Sequence, residues 1–360
     1  AGGAIAASRS TNWLPAPGPA LRASTVPPCS SASRRTIVSP MPRPPWTFSS
    51  EGSTCTNRSN TRDSMGDGIP IPASARVTTA APGVHTSFVP GGDIGRLAVA
   101  GTVNDLAMMG ATDPLGLTCA VIVEEGFRRA DLERVHRSMH ETCREAGVSV
   151  VTGDTKVMGR GELDGLVINT TGVAFADAVV PDAGLRPGDR LLVTGTIGDH
   201  GLALMARRHA LELEGDLRSD VAPINRLIAA ALAAARGAVT AMKDPTRGGL
   251  SSALHEMAEK SGVGVVLHEP ALPVRPVIRS VAEMLGLDPL HIANEGKAVL
   301  GVLPDAADAV LAAVRAHPLG RDAAIVGECI SDHVGRVILD TGLGRRLVGE
   351  VEGEPLPRIC

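Results

Sequence analysis

Short apolar runs alternate with polar, helix-forming stretches along the chain from about residue 88 onward. Apolar runs of this length, bounded by glycine and aspartate, are typical of buried strands. Between them, Leu132, Val135 and Met139 recur at helical spacing, which indicates a helix with one buried face. The pattern predicts strands over 148–153, 165–171 and 190–194 and helices over 131–146, 221–235 and 251–260.

A turn-rich junction at 185–189 divides this pattern into two parts, because its Leu-Arg-Pro-Gly-Asp sequence favours neither a helix nor a strand. We therefore predict a mixed α/β (α+β) chain with a first domain over 86–184 and a second α/β domain over 185–347. The final stretch, 348–360, contains two glycines and two prolines spaced so that it cannot form a helix. We expect it to be a mobile tail.

Residues 1–85 differ in composition from the rest of the chain. Through residue 80 they hold 11 of the 26 prolines and both tryptophans, and eight arginines face only three acidic residues. No sustained helical or strand period runs through them, which favours a disordered basic extension. A transit peptide is a second interpretation. A shifted reading frame is a third, because 10–14 and 35–37, back-translated and read from the third base, permit Asp-Glu-Leu-Ala and Asp-Asp.

Composition narrows the class of protein. The 360 residues are 44% hydrophobic, which is ample for a buried core, but only 2% aromatic, and the net charge is −4. Neither a basic surface nor aromatic stacking on bases is therefore expected, and no nucleic-acid partner is predicted. No run of 18 apolar residues occurs, so no membrane span is predicted. The six cysteines form no CxxC pair, which argues against a zinc site or a disulfide framework and predicts a cytoplasmic protein.

The segment 101–111 places Asn104 and Asp105 inside an apolar surround of small residues and methionine, after a glycine-rich turn. A carboxylate in this setting can bind Mg²⁺ or stand beside a phosphate, since hard cations take oxygen ligands. The alternative is a polar pair satisfied within its own helix.

Gly153-Asp154-Thr155-Lys156 follows an apolar strand pattern. At a strand end, Asp154 would be a metal ligand and Lys156 a phosphate-pairing cation. The spacing is not that of a Walker A loop, and a solvated turn is the alternative interpretation.

The segment 244–250 precedes a predicted helix and combines Asp244 and Arg247 with two glycines. The glycines would let the backbone approach an anion, while the two side chains offer opposite charges. A tight turn that caps the helix is equally compatible with this pattern.

Glu295 lies between Asn294 and Gly296, just before an apolar strand pattern. A carboxylate at such a point is a candidate general base, and a solvated loop residue is the alternative.

Cys360 is the last residue of the chain. On a flexible tail its thiol can move between sites and carry an acyl or carbamoyl group. A terminal cysteine without function is the alternative.

Taken together and in this order, these segments closely resemble the HypE family of hydrogenase maturation factors. The resemblance runs from about residue 88 to residue 360, and PRIC at the C-terminus is its most specific element. The matching segments are PGGDIG, GTVNDLAMMGA, EEG, VTGDTKV, INTTG, GDHG, DPTRGGL, ANEGK and PRIC.

The resemblance implies a two-domain PurM-like fold, with a first domain that dimerises through β-strands and ATP bound between domains and across the dimer. It implies that the carbamoyltransferase HypF places a carbamoyl group on Cys360. ATP-dependent dehydration then gives a thiocyanate, and the cyanide passes to a HypC–HypD complex during nickel-iron hydrogenase maturation.

On this basis each candidate residue has an expected role. Cys360 would carry the group, with Glu295 as the base and Lys156 as a competing candidate. Magnesium ligands would be Asp105, Asp154 and Asp244. The expected ATP-binding set is Asn104, Asp105, Gly153, Asp154, Thr155, Lys156, Asp244 and Arg247.

The sequence departs from the family pattern before PGGDIG. The family's glycine-rich opening, Asp-Asp-Ala-Ala stretch and Thr-Thr-Asp strand do not occur here. Two further hypotheses therefore stay open. One is a catalytically impaired carrier that only presents Cys360 to partners, and the other is a different PurM-like, ATP-dependent synthetase.

Overall fold

The fold is described from a computed structural model of the chain that covers residues 36–38, 74–76, 87–209, 211 and 215–350. Its strands are β1 (Thr36–Val38), β2 (Ser74–Arg76), β3 (Phe88–Val89), β4 (Gly92–Asp93), β5 (Pro114–Glu124), β6 (Val150–Met158), β7 (Leu166–Ala176), β8 (Arg190–Val193), β9 (Val239–Lys243), β10 (Gly264–His268), β11 (Val299–Val302), β12 (Ala324–Ile330), β13 (Val337–Asp340) and β14 (Arg345–Leu347). Its α-helices are α1 (Ile94–Met108), α2 (Arg129–Ala146), α3 (Asp199–Arg208), α4 (Asn225–Ala234), α5 (Gly249–Ser261), α6 (Pro276–Leu285) and α7 (Ala307–Ala316).

The first half of the described chain is a sheet covered by α1 and α2. Its strand order is β1-β7-β5-β6, and β2 also pairs with β7. Strands β5 and β6 are parallel, whereas β5 and β7 are antiparallel. Apolar residues of both helices pack on this sheet around Val99, Val135 and Ile168. The helix α1 begins at Asp93, whose carboxylate accepts the backbone N–H of Arg96 at 3.0 Å.

The second half is a seven-stranded sheet in the order β14-β13-β10-β12-β8-β11-β9. One apolar cluster joins it to α5 through Leu250, Leu254 and Met257. Another joins it to α4 and α7, and this cluster includes Ala107 and Met108 from the end of α1. Helix α1 therefore contributes to both cores, and it fixes the contact between the two halves of the molecule.

The sequence pattern predicted most of these elements. The helices predicted over 131–146, 221–235 and 251–260 correspond to α2, a shorter α4 and α5. Leu132, Val135 and Met139 all face the first core, as predicted. The strands predicted over 165–171 and 190–194 correspond to a longer β7 and to β8.

The prediction of a short buried strand over 148–153 is wrong. The strand β6 runs from Val150 to Met158, and its residues are exposed except at its last position, where exposure is intermediate. Among the described strands it lies at the edge of its sheet. Hydrophobicity alone does not distinguish a strand buried in its own domain from one that is exposed at an edge.

The stretch 1–85 contributes two short strands to the structure. Strands β1 and β2 both pair antiparallel with β7. The prediction of a disordered, transit or frameshifted segment otherwise falls outside the described residues, as do the tail 351–360 and its cysteine. Among the residues that the structure covers, no helix combines the length and apolarity needed to cross a membrane.

Candidate functional site

Three of the predicted motifs meet at Asn294, which is fully buried. Its side-chain oxygen accepts the backbone N–H of Gly198, in GDHG, at 2.8 Å. Its amide nitrogen donates to the carbonyl of Pro245, in DPTRGGL, at 3.0 Å. A single buried asparagine thus binds two segments that are far apart in sequence. Its neighbour Glu295 therefore lies where GDHG, DPTRGGL and ANEGK meet.

The DPTRGGL loop approaches this point closely because of a glycine. Gly249 has φ of +62°, and a Cβ atom there would lie 2.6 Å from the carbonyl oxygens of both Leu290 and Ile292. A side chain is therefore excluded on both conformational and steric grounds. Within this loop Asp244 is half-buried and Arg247 is exposed.

Glu295 itself is buried, with 7% of its surface exposed, so the solvated-loop alternative does not hold. Its backbone is held on both sides by buried polar side chains. The N–H of Glu295 donates to Oδ1 of Asp220 at 3.1 Å. Its carbonyl accepts a hydrogen bond from Nδ2 of Asn104 at 3.1 Å. The position of Glu295 is thus set by residues from α1 and from the loop before α4.

Asp220 is part of a small charged cluster beside Glu295. Its Oδ2 lies 3.2 Å from Nζ of Lys297, and both side chains are almost completely buried. The backbone of Asp220 also packs tightly on the glycine after Glu295, since a Cβ on Gly296 would lie 2.0 Å from the Asp220 carbonyl oxygen. The segment Glu295-Gly296-Lys297 is therefore tied to Asp220 by a backbone hydrogen bond, an ion pair and a close contact.

Asn104 connects α1 to the second half of the molecule. Besides the carbonyl of Glu295, its amide nitrogen donates to the carbonyl of Ala222 at 3.0 Å. Its Oδ1 accepts the backbone N–H of Ile224 at 2.8 Å. Both donors and the acceptor of this buried side chain are therefore engaged by protein groups. The next residue, Asp105, is only half-buried.

GDHG at the start of α3 contributes a second pair of buried polar groups. Burial and the nearby charge of Asp220 raise the pKa of Asp199, against the lowering effects of Thr196 and Arg275. Arg275 Nε donates to this carboxylate at 2.7 Å. Asp199 is thus paired within the protein rather than exposed as a ligand.

His200 is enclosed next to this pair. Burial lowers its pKa below that of free histidine, although the charge of Asp220 opposes the shift. Its Nδ1 lies 2.8 Å from the hydroxyl oxygen of Ser219. Ser219 also donates its backbone N–H to the carbonyl of Pro90, in PGGDIG, at 2.7 Å. The buried neutral imidazole therefore lies at the contact between the two halves of the molecule.

The GDTK residues lie elsewhere. Gly153, Asp154, Thr155 and Lys156 are all within β6, not at a strand end as the sequence indicated, and all are exposed. The side chain of Asp154 accepts the backbone N–H of Thr155 at 2.8 Å. Among the described strands, the motif therefore lies along the edge strand of the first sheet.

No group of three or more His, Cys, Asp or Glu side chains is placed to hold a metal ion in the part of the chain that the structure describes. The three predicted magnesium ligands, Asp105, Asp154 and Asp244, are therefore not assembled as a metal site within one chain. A Mg²⁺ ion commonly takes only one or two carboxylates and completes its shell with phosphate oxygens and water.

The described cysteines are poor candidates for carrying a reactive group. Cys119, Cys143 and Cys329 are free thiols and buried. Burial raises the pKa of Cys119 and Cys143. Burial, with the charges of Asp189 and Glu328, raises that of Cys329 to about 12. Since the thiolate is the nucleophile, these three thiols are inert at neutral pH.

Sequence reasoning missed several residues at this site. Asn294 and Lys297 were inside the ANEGK motif, but neither was singled out. Asp199 was inside GDHG. Asp220 belongs to none of the recognised motifs, and only its contact with the backbone of Glu295, 75 residues away, identifies it.

The chain matches two family descriptions. Residues 71–176 match the AIR synthase related protein, N-terminal domain, and residues 186–340 match the AIR synthase related protein, C-terminal domain. Residues 177–185 lie between the two matches.

Curated relatives are similar over most of their length. The chain is 52% identical over 285 residues to the carbamoyl dehydratase HypE of Bradyrhizobium diazoefficiens, an alignment that covers 77% of this chain and 81% of that protein. It is 47% identical over 275 residues to the carbamoyl dehydratase HypE of Escherichia coli, with coverage of 76% and 81%.

Solved structures are similar as well. A structure of the hydrogenase maturation protein HypE in complex with ATP superposes with a TM-score of 0.74 at 42% identity, covering 84% of this chain and 90% of that one. The HypE–HypF complex gives a TM-score of 0.72 at 43% identity, with coverage of 77% and 89%. The thiamine monophosphate kinase of Aquifex aeolicus, at 17% identity and a TM-score of 0.57, is similar in fold alone.

Proposed function

Because the chain belongs to the carbamoyl dehydratase HypE family of AIR synthase related proteins, we propose that it uses ATP to dehydrate a carbamoyl group on its own Cys360. The product is a cysteine thiocyanate, which supplies the cyanide ligands needed for the maturation of nickel-iron hydrogenase. The observation that carries the proposal is Glu295, a buried carboxylate whose backbone is fixed by Asp220 and Asn104 where the family motifs converge.

The reaction balances without any oxidant or reductant. The amide oxygen of the S-carbamoyl group attacks the γ-phosphorus of ATP, and ADP leaves. The amide nitrogen then loses both protons while the C–O bond breaks and phosphate departs, so that a C≡N bond forms. Thiocarboxamide and ATP thus become thiocyanate, ADP and phosphate. Phosphorylation supplies the leaving group that an amide oxygen lacks.

Two groups of this chain compete for the role of base. Glu295 is our first choice, because its burial and fixed backbone would hold the carboxylate in one position next to the entering tail. Lys156 is the alternative, and its exposure on β6 means that it would act on a neighbouring chain more readily than on its own.

ATP binding is proposed to use the half-buried or exposed residues of three motifs. The set is Asp105, Gly153, Asp154, Thr155, Lys156, Asp244 and Arg247, together with the helix that carries Asn104. A bound Mg²⁺ ion would neutralise charge on the phosphates, with Asp105, Asp154 and Asp244 as its proposed ligands. Since these carboxylates form no metal site within one described chain, we propose that a second chain contributes GDTK.

A homodimer paired through β6 fits these observations. The strand is exposed along nearly its whole length, and Val151 and Val157 are each about two-thirds exposed, at 67% and 64%. Exposed apolar edge strands invite pairing with another chain. The carbamoyltransferase HypF and the HypC–HypD complex are the further proposed partners. We place the reaction in the cytoplasm, since scattered free thiols suit a reducing compartment.

The dimer proposal predicts that Val151→Lys converts the protein from a dimer into a monomer, because a charge would be buried within the paired edge. Leu343→Lys is the matched control, since Leu343 is a fully exposed apolar residue of the second half, at 100%. Sedimentation velocity measures both. A dimer that persists in Val151→Lys at micromolar concentration contradicts pairing through β6.

The function is tested by phosphate release from ATP. The chain carbamoylated by HypF is expected to release one phosphate per carbamoyl group, whereas the unmodified chain releases little. A pure carrier would pass the group on without consuming ATP. A different ATP-dependent synthetase would consume ATP independently of carbamoylation. Either of those outcomes contradicts the proposed dehydratase.

A further inference from the structure

We infer that Asn104 is a positioning residue that fixes the backbone of Glu295 and links the proposed nucleotide-binding helix α1 to the base. This inference rests on the proposed function. The amide nitrogen of Asn104 donates to the carbonyl of Glu295 at 3.1 Å, across 191 residues of sequence. A role in positioning replaces the direct ATP contact that the sequence indicated, because the side-chain amide is already occupied by protein groups.

The geometry restricts Asn104 to this role. Its second donor reaches Ala222 at 3.0 Å and its acceptor receives the N–H of Ile224 at 2.8 Å. It is only 2% exposed, so water cannot readily replace these partners. All three contacts reach the second half of the molecule, and only one of them ends on a candidate catalytic residue.

The contact completes a clamp on Glu295. Asp220 accepts the N–H of Glu295 on one side, and Asn104 donates to its carbonyl on the other. Loss of Asn104 leaves the carbonyl of Glu295 without this donor and removes one of the two backbone hydrogen bonds that form the clamp. The Glu295 side chain would then shift or sample several positions, and misplacement by about 1 Å can cost about 100-fold in rate.

The position of Asn104 in α1 provides the link to nucleotide. Asp105, a proposed Mg²⁺ ligand in the ATP site, is the next residue of the same helix. A helix is stiff over one turn. A ligand bound by Asp105 and the Glu295 carbonyl bound by Asn104 are therefore held by adjacent residues of one rigid helix. Bound ATP is therefore expected to steady the segment that contains Glu295.

The molecule contains a matched control for this inference. Asn225 is also a buried asparagine, 3% exposed. It belongs to the second half of the molecule and contacts the first half, whereas Asn104 belongs to the first half and contacts the second. Its amide nitrogen donates to the carbonyls of Thr112 at 3.1 Å and Ala146 at 3.0 Å. Asn225→Ala thus removes two comparable contacts between the halves and leaves the clamp on Glu295 intact.

The test compares Asn104→Ala with Asn225→Ala in the full-length chain, carbamoylated by HypF. Measured are the first-order rate of dehydration and the ATP concentration that gives half of the maximal rate. For Asn104→Ala we expect the rate to fall about 10- to 100-fold, with the half-saturating ATP concentration within about twofold of the original. For Asn225→Ala we expect both values to stay within about twofold, although both variants melt at lower temperature.

A second variant and a second measurement keep the inference testable if Asn104→Ala does not fold. Asn104→Asp keeps the size and the acceptor for Ile224 but lacks both donors. In the unaltered chain, hydrogen exchange followed by mass spectrometry should show that ATP protects the peptide around Glu295. Absence of that protection, when no Asn104 variant folds, counts against the link.

The outcomes are distinguishable from failure of the proposed function. If the unaltered carbamoylated chain is not dehydrated by ATP, the proposed function is wrong. If it is dehydrated, and folded Asn104 variants react at the original rate, the positioning role is wrong. Equal rate losses in the Asn104 and Asn225 variants would show that both asparagines act only by holding the two halves together. That result also overturns the inference.

Discussion

Replacement of Cys360 by serine is expected to abolish thiocyanate formation while leaving the fold and its thermal stability unchanged. A serine hydroxyl is a far weaker nucleophile than a thiolate at neutral pH, so no carbamoyl group would be carried. Val348 is the last buried side chain that the structure describes, and the carbonyl of Gly349 is held by the hydroxyl of Ser251 at 3.0 Å.

The matched control for this variant is Cys329→Ser. The thiol of Cys329 is buried and has a pKa of about 12, so its loss should leave carbamoylation unchanged while it disturbs packing. Mass spectrometry after reaction with HypF, carbamoyl phosphate and ATP measures the attached group. A carbamoyl group found on Cys119, Cys143 or Cys329, or a clear loss of stability in the Cys360 variant, would contradict this account.

Glu295→Gln is expected to lower the rate of dehydration by about 100- to 10,000-fold, the range that loss of a general base typically produces. The change keeps the size of the side chain. Its backbone hydrogen bonds to Asp220 and Asn104 do not involve the carboxylate, so they survive the substitution. ATP affinity should therefore stay close to that of the unaltered chain, and the loss should fall on the chemical step.

Lys156→Met decides between the two candidate bases. If Glu295 is the base, the lysine variant should lose rate through weaker stabilisation of phosphate charge, and raising the pH should not restore the glutamine variant. Rapid-quench measurement of phosphate and thiocyanate in one turnover follows both steps. A glutamine variant with normal turnover, beside a lysine variant without any, would transfer the role to Lys156.

The sequence predicted those parts of the fold that depend on local periodicity. The helix α2 presents Leu132, Val135 and Met139 to the core at the spacing that identified it. The exposure of β6 was not predicted, because its apolar residues look the same in sequence whether their partner is in the same chain or in another. Local pattern carries no information on that choice.

The candidate site was predicted by residue type but not by role. The buried carboxylate of Glu295 was identified within a motif, whereas its contacts to Asp220 and Asn104 span 75 and 191 residues. Asn104 shows the same limit. Its position beside Asp105 indicated a residue that binds ATP. Only the structure shows that its side-chain amide forms hydrogen bonds with the backbone of the second half. Such contacts depend on tertiary packing, which no spacing rule encodes.

The most direct test of the dehydratase assignment is the intact mass of the carbamoylated chain before and after incubation with ATP. The account predicts that the mass falls by one water molecule per carbamoyl group, that the change is located on Cys360, and that ADP and phosphate appear in equal amount. A carbamoylated chain whose mass stays constant with ATP, while the bound nucleotide is intact, would contradict it.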